Sequence, residues 1–386
     1  MNLDPETVLP DELVERIRSR APGYDERNEF FREDFDELVE AGYLKVFVPR
    51  EAGGLGASLA DVVRLQRRLA AAAPATALGI NMHLVWTGVA RVFRDRGDAA
   101  LDFVLGDAAA GEVFSFGISE AGNDSVLFDS VTSADPEPGG GYRLTGTKVF
   151  TSLAPVWTRM GTFGKDTSGP EPALVYGFIR RDTPGWRHLD DWDTLGMRAS
   201  QSCTTILDGV RVAPDRIVRR LPVGPNPDLL VFGIFAVFET LLAAVYTGIA
   251  ERALALGVEA AHRRTSLKNG GRPYAKDPDV RWQLADAAME LDGVLPQLER
   301  VADDVDACVD RGPAWFPALS GLKHRATETA RSVVDTAMRV GGGGGYFRSH
   351  ELQRLYRDVL AGLYHPSDPE SAHATVANAL LGPLED

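Results

Sequence analysis

Two side chains stand out as groups that could move a proton. Glu239 is the single charge in the apolar run Leu229 to Ala250, LLVFGIFAVFETLLAAVYTGIA. A carboxylate desolvated in this way must find a partner or keep its proton, and a pKa raised towards neutrality is what a general base needs. The plainer alternative is a carboxylate paired with an arginine of a neighbouring helix. His365 precedes Pro366, and an imidazole titrates near working pH. A turn residue or an ordinary hydrogen-bonding histidine would look the same. His83 and His350 are single histidines without identifiable partners. Cys203 and Cys308 lie far apart and match neither a disulfide framework nor metal-ligand spacing. They are expected to be buried small hydrophobes in a reducing, cytoplasmic setting, with no metal site.

The elements that must position these groups can be read from periodicity. The chain has 386 residues, enough for two or three structural units. Its 55 acidic against 41 basic side chains give a net charge of −14, which repels a polyphosphate backbone and argues against nucleic acid. The N-terminus lacks a basic stretch followed by an apolar core, so no signal peptide is expected. The run Leu229–Ala250 is long enough to span a bilayer, but without flanking Lys/Arg asymmetry or a second such segment it reads as a core helix.

Residues 1–112 are helical in pattern. Phe31, Phe35, Leu38 and Val39 share a face that Gly42 terminates, Ser58 caps a second helix, and a third follows a break at Pro74. Residues 113–222 change to short β-rich runs: Val113–Ile118, Tyr142–Phe150, Ala173–Arg180 and Cys203–Val212. Turn signals fall at Pro136–Gly141 and Asp208-Gly209. The connections are too short for crossover helices, so an antiparallel β-domain is expected. Helical stride returns over residues 223–386, for example Leu284, Ala288, Leu291, Leu295 and Leu298, and predicts a four-helix bundle.

Four segments, in order, resemble the acyl-CoA dehydrogenase family: VPREAGGLG (48–56), FGISEAGND (116–124), LTGTKVFTS (144–152) and LGMRASQSCTTILDGVRVAPDRI (195–217). VGGGGGYFRSHELQRLYRD (340–358) is a weaker fifth match to the family's glycine-rich segment and its R-x-x-R-D. The resemblance implies a multi-domain fold with an N-terminal helical domain, a central antiparallel β-domain and a C-terminal four-helix bundle. It implies FAD between the β-domain and the bundle, with FMN or loosely held reduced flavin as alternatives. By the same resemblance Ser119 and the backbone N–H groups of Ile118–Ser119 hydrogen-bond the pyrimidine side of the ring, Phe116 is a further cofactor-binding residue, Phe150 stacks on the ring and Ser152 lies near N5. Gly122 and Asn123 approach a phosphate, Arg264 reaches a pyrophosphate, and Gly342 and Gly343 pass near the cofactor.

There are departures from the family pattern. The loop at 116–124 is one residue short and has Ala121 where proline is usual, and the R-x-x-F-G segment is replaced by residues 262–282. The usual glutamate after R-D is missing, with His365-Pro366 in its slot, and Glu239 falls one residue past the alternative position. The leading expectation is an FAD-dependent acyl-CoA dehydrogenase of fatty-acid metabolism, acting on CH-CH groups and forming an α,β double bond in an acyl thioester with hydride transfer to flavin N5. The alternatives are a reduced-flavin-dependent monooxygenase of the same fold, whose members often carry H-P after R-D, and a non-catalytic scaffold relative. The family layout implies a homodimer or homotetramer.

Overall fold

The computed structural model describes residues 4–268 and 270–384. Among the described residues six α-helices come first: α1 (Pro5–Val8), α2 (Asp11–Arg27), α3 (Arg32–Glu40), α4 (Leu59–Ala70), α5 (Pro74–Asp95) and α6 (Asp102–Ala109). Ser58 caps α4 through a reciprocal box: its hydroxyl accepts from the Asp61 N–H, and the Asp61 carboxylate accepts from the Ser58 N–H. Pro74 occupies the first turn of α5, where its missing N–H costs nothing. On α3, Phe35 and Leu38 are buried, as is Phe31 just before the helix, while Val39 turns out to solvent.

Eight strands follow: β1 (Phe114–Gly117), β2 (Ser133–Pro136), β3 (Tyr142–Lys148), β4 (Arg159–Asp166), β5 (Ala173–Arg180), β6 (Trp186–His188), β7 (Thr205–Val212) and β8 (Ile217–Pro222). They form one sheet in the order β6-β7-β3-β2-β4-β5-β8, with β1 beside β4. The sheet is mixed, not purely antiparallel, because β1 and the start of β2 run parallel to β4. The excursion from residue 118 to 158 is long enough to return the chain in the same direction without a helix. Asp208-Gly209 is not a turn between strands. It lies inside β7, where Gly209 takes φ +67° and the register against β3 slips between Leu144 and Gly146. A left-handed glycine in a strand makes a bulge of this kind.

The chain then returns to helices: α7 (Leu229–Arg263), α8 (Pro278–Asp306), α9 (Trp315–Gly341), α10 (Glu351–Val359) and α11 (Pro369–Leu381). A two-stranded ribbon, β9 (Thr265–Ser266) and β10 (Arg272–Pro273), joins α7 to α8. The long helices α7, α8 and α9 pack on one another, with the shorter α10 and α11 against α9. The apolar α7 is a buried core helix, covered by α8 and α9 on one side and by α4 and α5 on the other. One hydrophobic cluster therefore runs from the N-terminal helices through α7 into the C-terminal ones, and a second fills the far side of the sheet around Leu144, Trp157 and Val210. Cys203 is buried, but Cys308, just past α8, is exposed.

Gly248 marks where α7 and α4 meet, since a methyl group built on it would collide with the Arg67 carbonyl oxygen. Gly248→Ala should force the two helices apart and cost about 1–3 kcal/mol. The check is thermal unfolding: the midpoint should fall by several degrees, and an unchanged midpoint would show that the helices separate freely.

Candidate functional site

Between the sheet and the C-terminal helices lies a cleft with a volume of about 260 Å³. Its floor is aromatic. Phe116 of β1 stacks on Phe238 of α7, with ring centroids 5.3 Å apart and planes at 23°. Leu78 and Met82 of α5 complete the apolar base, and Leu360 and Ala361 follow from the end of α10. At the mouth Phe150 is 52% exposed and meets Trp192 edge-on at 6.2 Å.

The backbone around this mouth is held in an unusual conformation. Phe150, Leu153, Met197 and Gln201 all have positive φ, between 45° and 63°. Bulky side chains reach that region only where the surroundings enforce it, and such strain gathers at functional sites. Here two segments lace together. Thr151 N–H and Oγ donate to the Cys203 carbonyl, Leu153 N–H to Ser200 O and Ala154 N–H to Gln201 O. Met197 N–H donates to the Asp358 carboxylate at 2.6 Å, which ties the LGMRAS segment to α10. Burial raises Asp358 to about 6, against the lowering influence of Arg354 and of this hydrogen bond. Arg357 also lines the cleft, but its guanidinium is engaged by the Asp25 carboxylate at 2.5–3.0 Å and by the Leu195 carbonyl.

Ser152 and Ser119 bring hydroxyls to the same cleft. Ser152 Oγ lies 2.7 Å from Ser202 Oγ, which in turn lies 2.8 Å from Ser200 Oγ, a chain of buried hydroxyls beside the cleft. Ser119 is half-buried, and its carbonyl accepts from Val149 N–H at 2.9 Å. Ile118 is buried beside it and does not line the cleft.

The loop after Ser119 is anchored by Glu120. One carboxylate oxygen receives Lys148 Nζ at 2.7 Å, Ser130 Oγ, Thr132 Oγ and Thr132 N–H; the other receives Val131 N–H and Asn123 Nδ2. Burial alone would raise the Glu120 carboxyl, but Lys148 and these donors hold it well below the usual range. Lys148 is fully enclosed, and burial pulls its pKa down despite the pairing. The ion pair outweighs desolvation on the carboxylate because that side also collects the neutral donors. Asn123 is consequently spent on Glu120 and the Asp129 carbonyl, and Gly122, φ +76°, sits at the exposed tip. Neither lines the cleft.

Arg264 and Gly342 meet each other elsewhere, at the end of α9. The Arg264 guanidinium donates to the Val340 carbonyl and lies 4.7 Å from the centroid of the Tyr274 ring. Gly342 packs under that guanidinium, with Gly343 exposed beside it. The structure thus brings together Phe116, Ser119, Phe150, Ser152 and His365, and separates Arg264, Gly342 and Gly343 from them.

The two proton-transfer candidates part company. His365 lines the cleft, whereas Glu239 is buried behind it, with one oxygen accepting from Ser367 N–H at 3.1 Å and Ser367 Oγ at 2.8 Å. Its other oxygen has no hydrogen-bond partner among the described residues. Its neighbouring cation is Lys323 of α9, not an arginine, and Lys323 Nζ itself donates to the Gly362, His365 and Ser367 carbonyls at 2.8–2.9 Å. Burial pushes Glu239 up and Lys323 down. Burial, then the Lys323 charge, lowers His365 to about 3. His83 is a satisfied core histidine between the Leu44 carbonyl and the Phe114 N–H, and His350 caps α10 through the Leu352 N–H. Trp192, Phe238, Met197 and Tyr364 were invisible as lining residues in the sequence, because only the fold brings their segments to one mouth.

The comparisons with known proteins agree with this layout. Residues 11–93 match the family model for the acyl-CoA dehydrogenase N-terminal domain, and residues 240–367 that for the C-terminal domain. The amino sugar nitrososynthase DnmZ of Streptomyces peucetius is 31% identical over 341 residues, covering 86% of this chain and 82% of its own. A Bacillus subtilis protein provisionally named acyl-CoA dehydrogenase YdbM is 29% identical, covering 95% and 94%. The dibenzothiophene monooxygenase of Rhodococcus qingshengii is 27% identical, covering 93% and 88%. Among solved structures, KijD3 in complex with FMN and a dTDP-linked amino-keto sugar superposes with a TM-score of 0.87 at 28% identity, covering 100% and 95%.

Lys148→Met would leave the Glu120 carboxylate buried without its cation, a change that typically costs about 3–5 kcal/mol. Chemical denaturation should show that loss, and Lys148→Met combined with Glu120→Gln should recover part of it. Equal stability of the two variants would mean that the pair does not anchor the loop.

Proposed function

The chain belongs to the acyl-CoA dehydrogenase family, and from that premise we propose that it oxygenates a small molecule with reduced flavin and oxygen, instead of dehydrogenating an acyl thioester. One observation carries this reading: among the described residues no carboxylate lines the cleft, and its one imidazole is held neutral. Abstraction of an α-proton needs a base within hydrogen-bonding reach of the substrate. Glu239 has the raised pKa that task asks for, but it faces Ser367 and not the cleft. His365 faces the cleft, but an imidazole with a pKa of about 3 is a feeble base.

The residues present fit a flavin ring. Phe150 offers an exposed aromatic face, Ser119 and Ser152 offer hydroxyls within the same cleft, and the remaining walls are largely apolar. Phe150 would stack on the ring, Ser152 and Ser119 would hydrogen-bond its edge, and Phe116, Phe238 and Met82 would keep water from the reacting face. Reduced flavin would supply two electrons, with one oxygen atom delivered to the substrate and the other leaving as water. FMN suits the site better than FAD, because the one arginine expected at a pyrophosphate, Arg264, lies outside the cleft and is engaged by Val340 and Tyr274. The FMN in the KijD3 complex supports the same choice.

The substrates named for the relatives, an amino sugar and dibenzothiophene, share a nucleophilic heteroatom, nitrogen in one and sulfur in the other. A small molecule of that kind, its heteroatom presented among the apolar side chains, is the proposed substrate class. An assembly of two or four copies belongs to the same proposal.

The test is spectroscopic. The protein should bind reduced FMN, and Phe150→Ala should weaken that binding by roughly tenfold. Anaerobic addition of butyryl-CoA to the protein carrying oxidised flavin should leave the absorbance band intact; bleaching of that band would establish the dehydrogenase instead.

A further inference from the structure

The turn that carries His365 is held by more polar contacts than a surface turn needs, and they converge on one ring. Lys323 fixes the backbone on both sides of it by donating to the Gly362, His365 and Ser367 carbonyls. Glu239 holds Ser367 by its N–H and hydroxyl. The third contact is to the imidazole itself: the hydroxyl of Tyr246, fully buried on α7, lies 3.0 Å from His365 Nδ1. The other ring nitrogen, Nε2, has no hydrogen-bond partner among the described residues, and the ring lines the cleft.

We propose that Tyr246 is a positioning residue that locks His365 into a single neutral tautomer, so that the imidazole presents an Nε2–H donor to the molecule in the cleft. Counting protons leads there. If Tyr246 donates, Nδ1 accepts and the ring proton sits on Nε2. If Nδ1–H donated instead, the tyrosine proton would need another acceptor, and the Tyr246 hydroxyl has no other hydrogen-bond partner among the described residues. A buried donor without an acceptor is costly, so the first arrangement wins.

The charged groups around the pair favour the neutral ring. The Lys323 ammonium approaches from α9, and burial with that charge lowers His365 far below its ordinary value. On α7 itself, Glu239 is turned to Ser367 and Lys323. Burial, and then the charge of Asp358 on α10, keeps the Tyr246 phenol protonated, and Arg357 is paired with Asp25. His365 therefore acts as a fixed hydrogen-bond donor and not as the base or cation that a histidine near a reacting centre usually supplies. The use of that donor, to hold an oxygen or lone pair at the reacting atoms, rests on the flavin-dependent oxygenation proposed above. The tautomer does not.

The experiment is long-range proton–nitrogen NMR on the full chain labelled with ¹⁵N-histidine, with His365→Asn identifying the resonances. The expected wild-type pattern is that of Nε2–H with an unprotonated Nδ1, constant from about pH 5 to 8, where an ordinary histidine titrates. Tyr246→Phe should lose that single pattern and give averaged ring-nitrogen shifts, with circular dichroism unchanged. An Nδ1–H pattern in the wild type, a titration within that range, or an unaltered Tyr246→Phe spectrum would each overturn the proposal. If Tyr246→Phe does not fold, the wild-type pattern alone decides. FMN titration of the same sample separates the two readings, since failure to bind flavin would sink the oxygenation reading and leave the tautomer standing.

Discussion

A helix that is apolar on every side must be covered on every side, and α7 imposes that requirement on the whole chain. Over residues 229–250 nearly every side chain is apolar, and most are buried. No single layer can enclose such a cylinder, so α4 and α5 close one flank and α8 and α9 the other. The N-terminal and C-terminal helical parts share one core for this reason, and the sheet is left to pack across their junction.

The same helix sets the site. Phe238, Glu239 and Tyr246 all project from α7: Phe238 stacks on Phe116 of the sheet, Glu239 holds Ser367, and Tyr246 meets His365. The one charge and the buried phenol are the polar groups whose enclosure is most expensive; the single turn between Gly362 and Ser367 supplies the partner of the phenol and of one carboxylate oxygen. Lys323 completes the arrangement by occupying three carbonyls of that turn. A buried ammonium with three acceptors and a nearby carboxylate is well satisfied, so the turn keeps one conformation. The polar groups of the core thus serve to fix one wall of the cleft.

The opposite wall is fixed by strain. Phe150 and Met197 line the cleft with positive φ, and the crossed hydrogen bonds between residues 151–154 and 200–203 hold them there. Phe150 follows the end of β3, and with its left-handed step about half of its side chain stays exposed at the cleft. Both walls are therefore set before any ligand arrives, which is the preorganisation a flavin-dependent oxidation requires.

The sequence by itself determined the order of helical and β parts, the core status of α7 and the family, because these follow from periodicity and from motifs local in the chain. Of the residues it singled out, Phe116, Ser119, Phe150 and Ser152 from those motifs, and His365 from beyond them, line one cleft. It misread the Asp208-Gly209 bulge as a turn, because a left-handed glycine serves both, and the exposed Cys308 as buried. Tertiary structure decided the rest. Whether Glu239 faced the cleft depended on where a turn 128 residues away docked, and that turn supplied Ser367 as its partner. Lys323 and Tyr246, ordinary members of helical patterns in the sequence, became neighbours of His365 only once α7, α9 and the residue 362–367 turn converged. A charge or proton in a protein takes its role from groups distant in the chain, and periodicity carries no record of them.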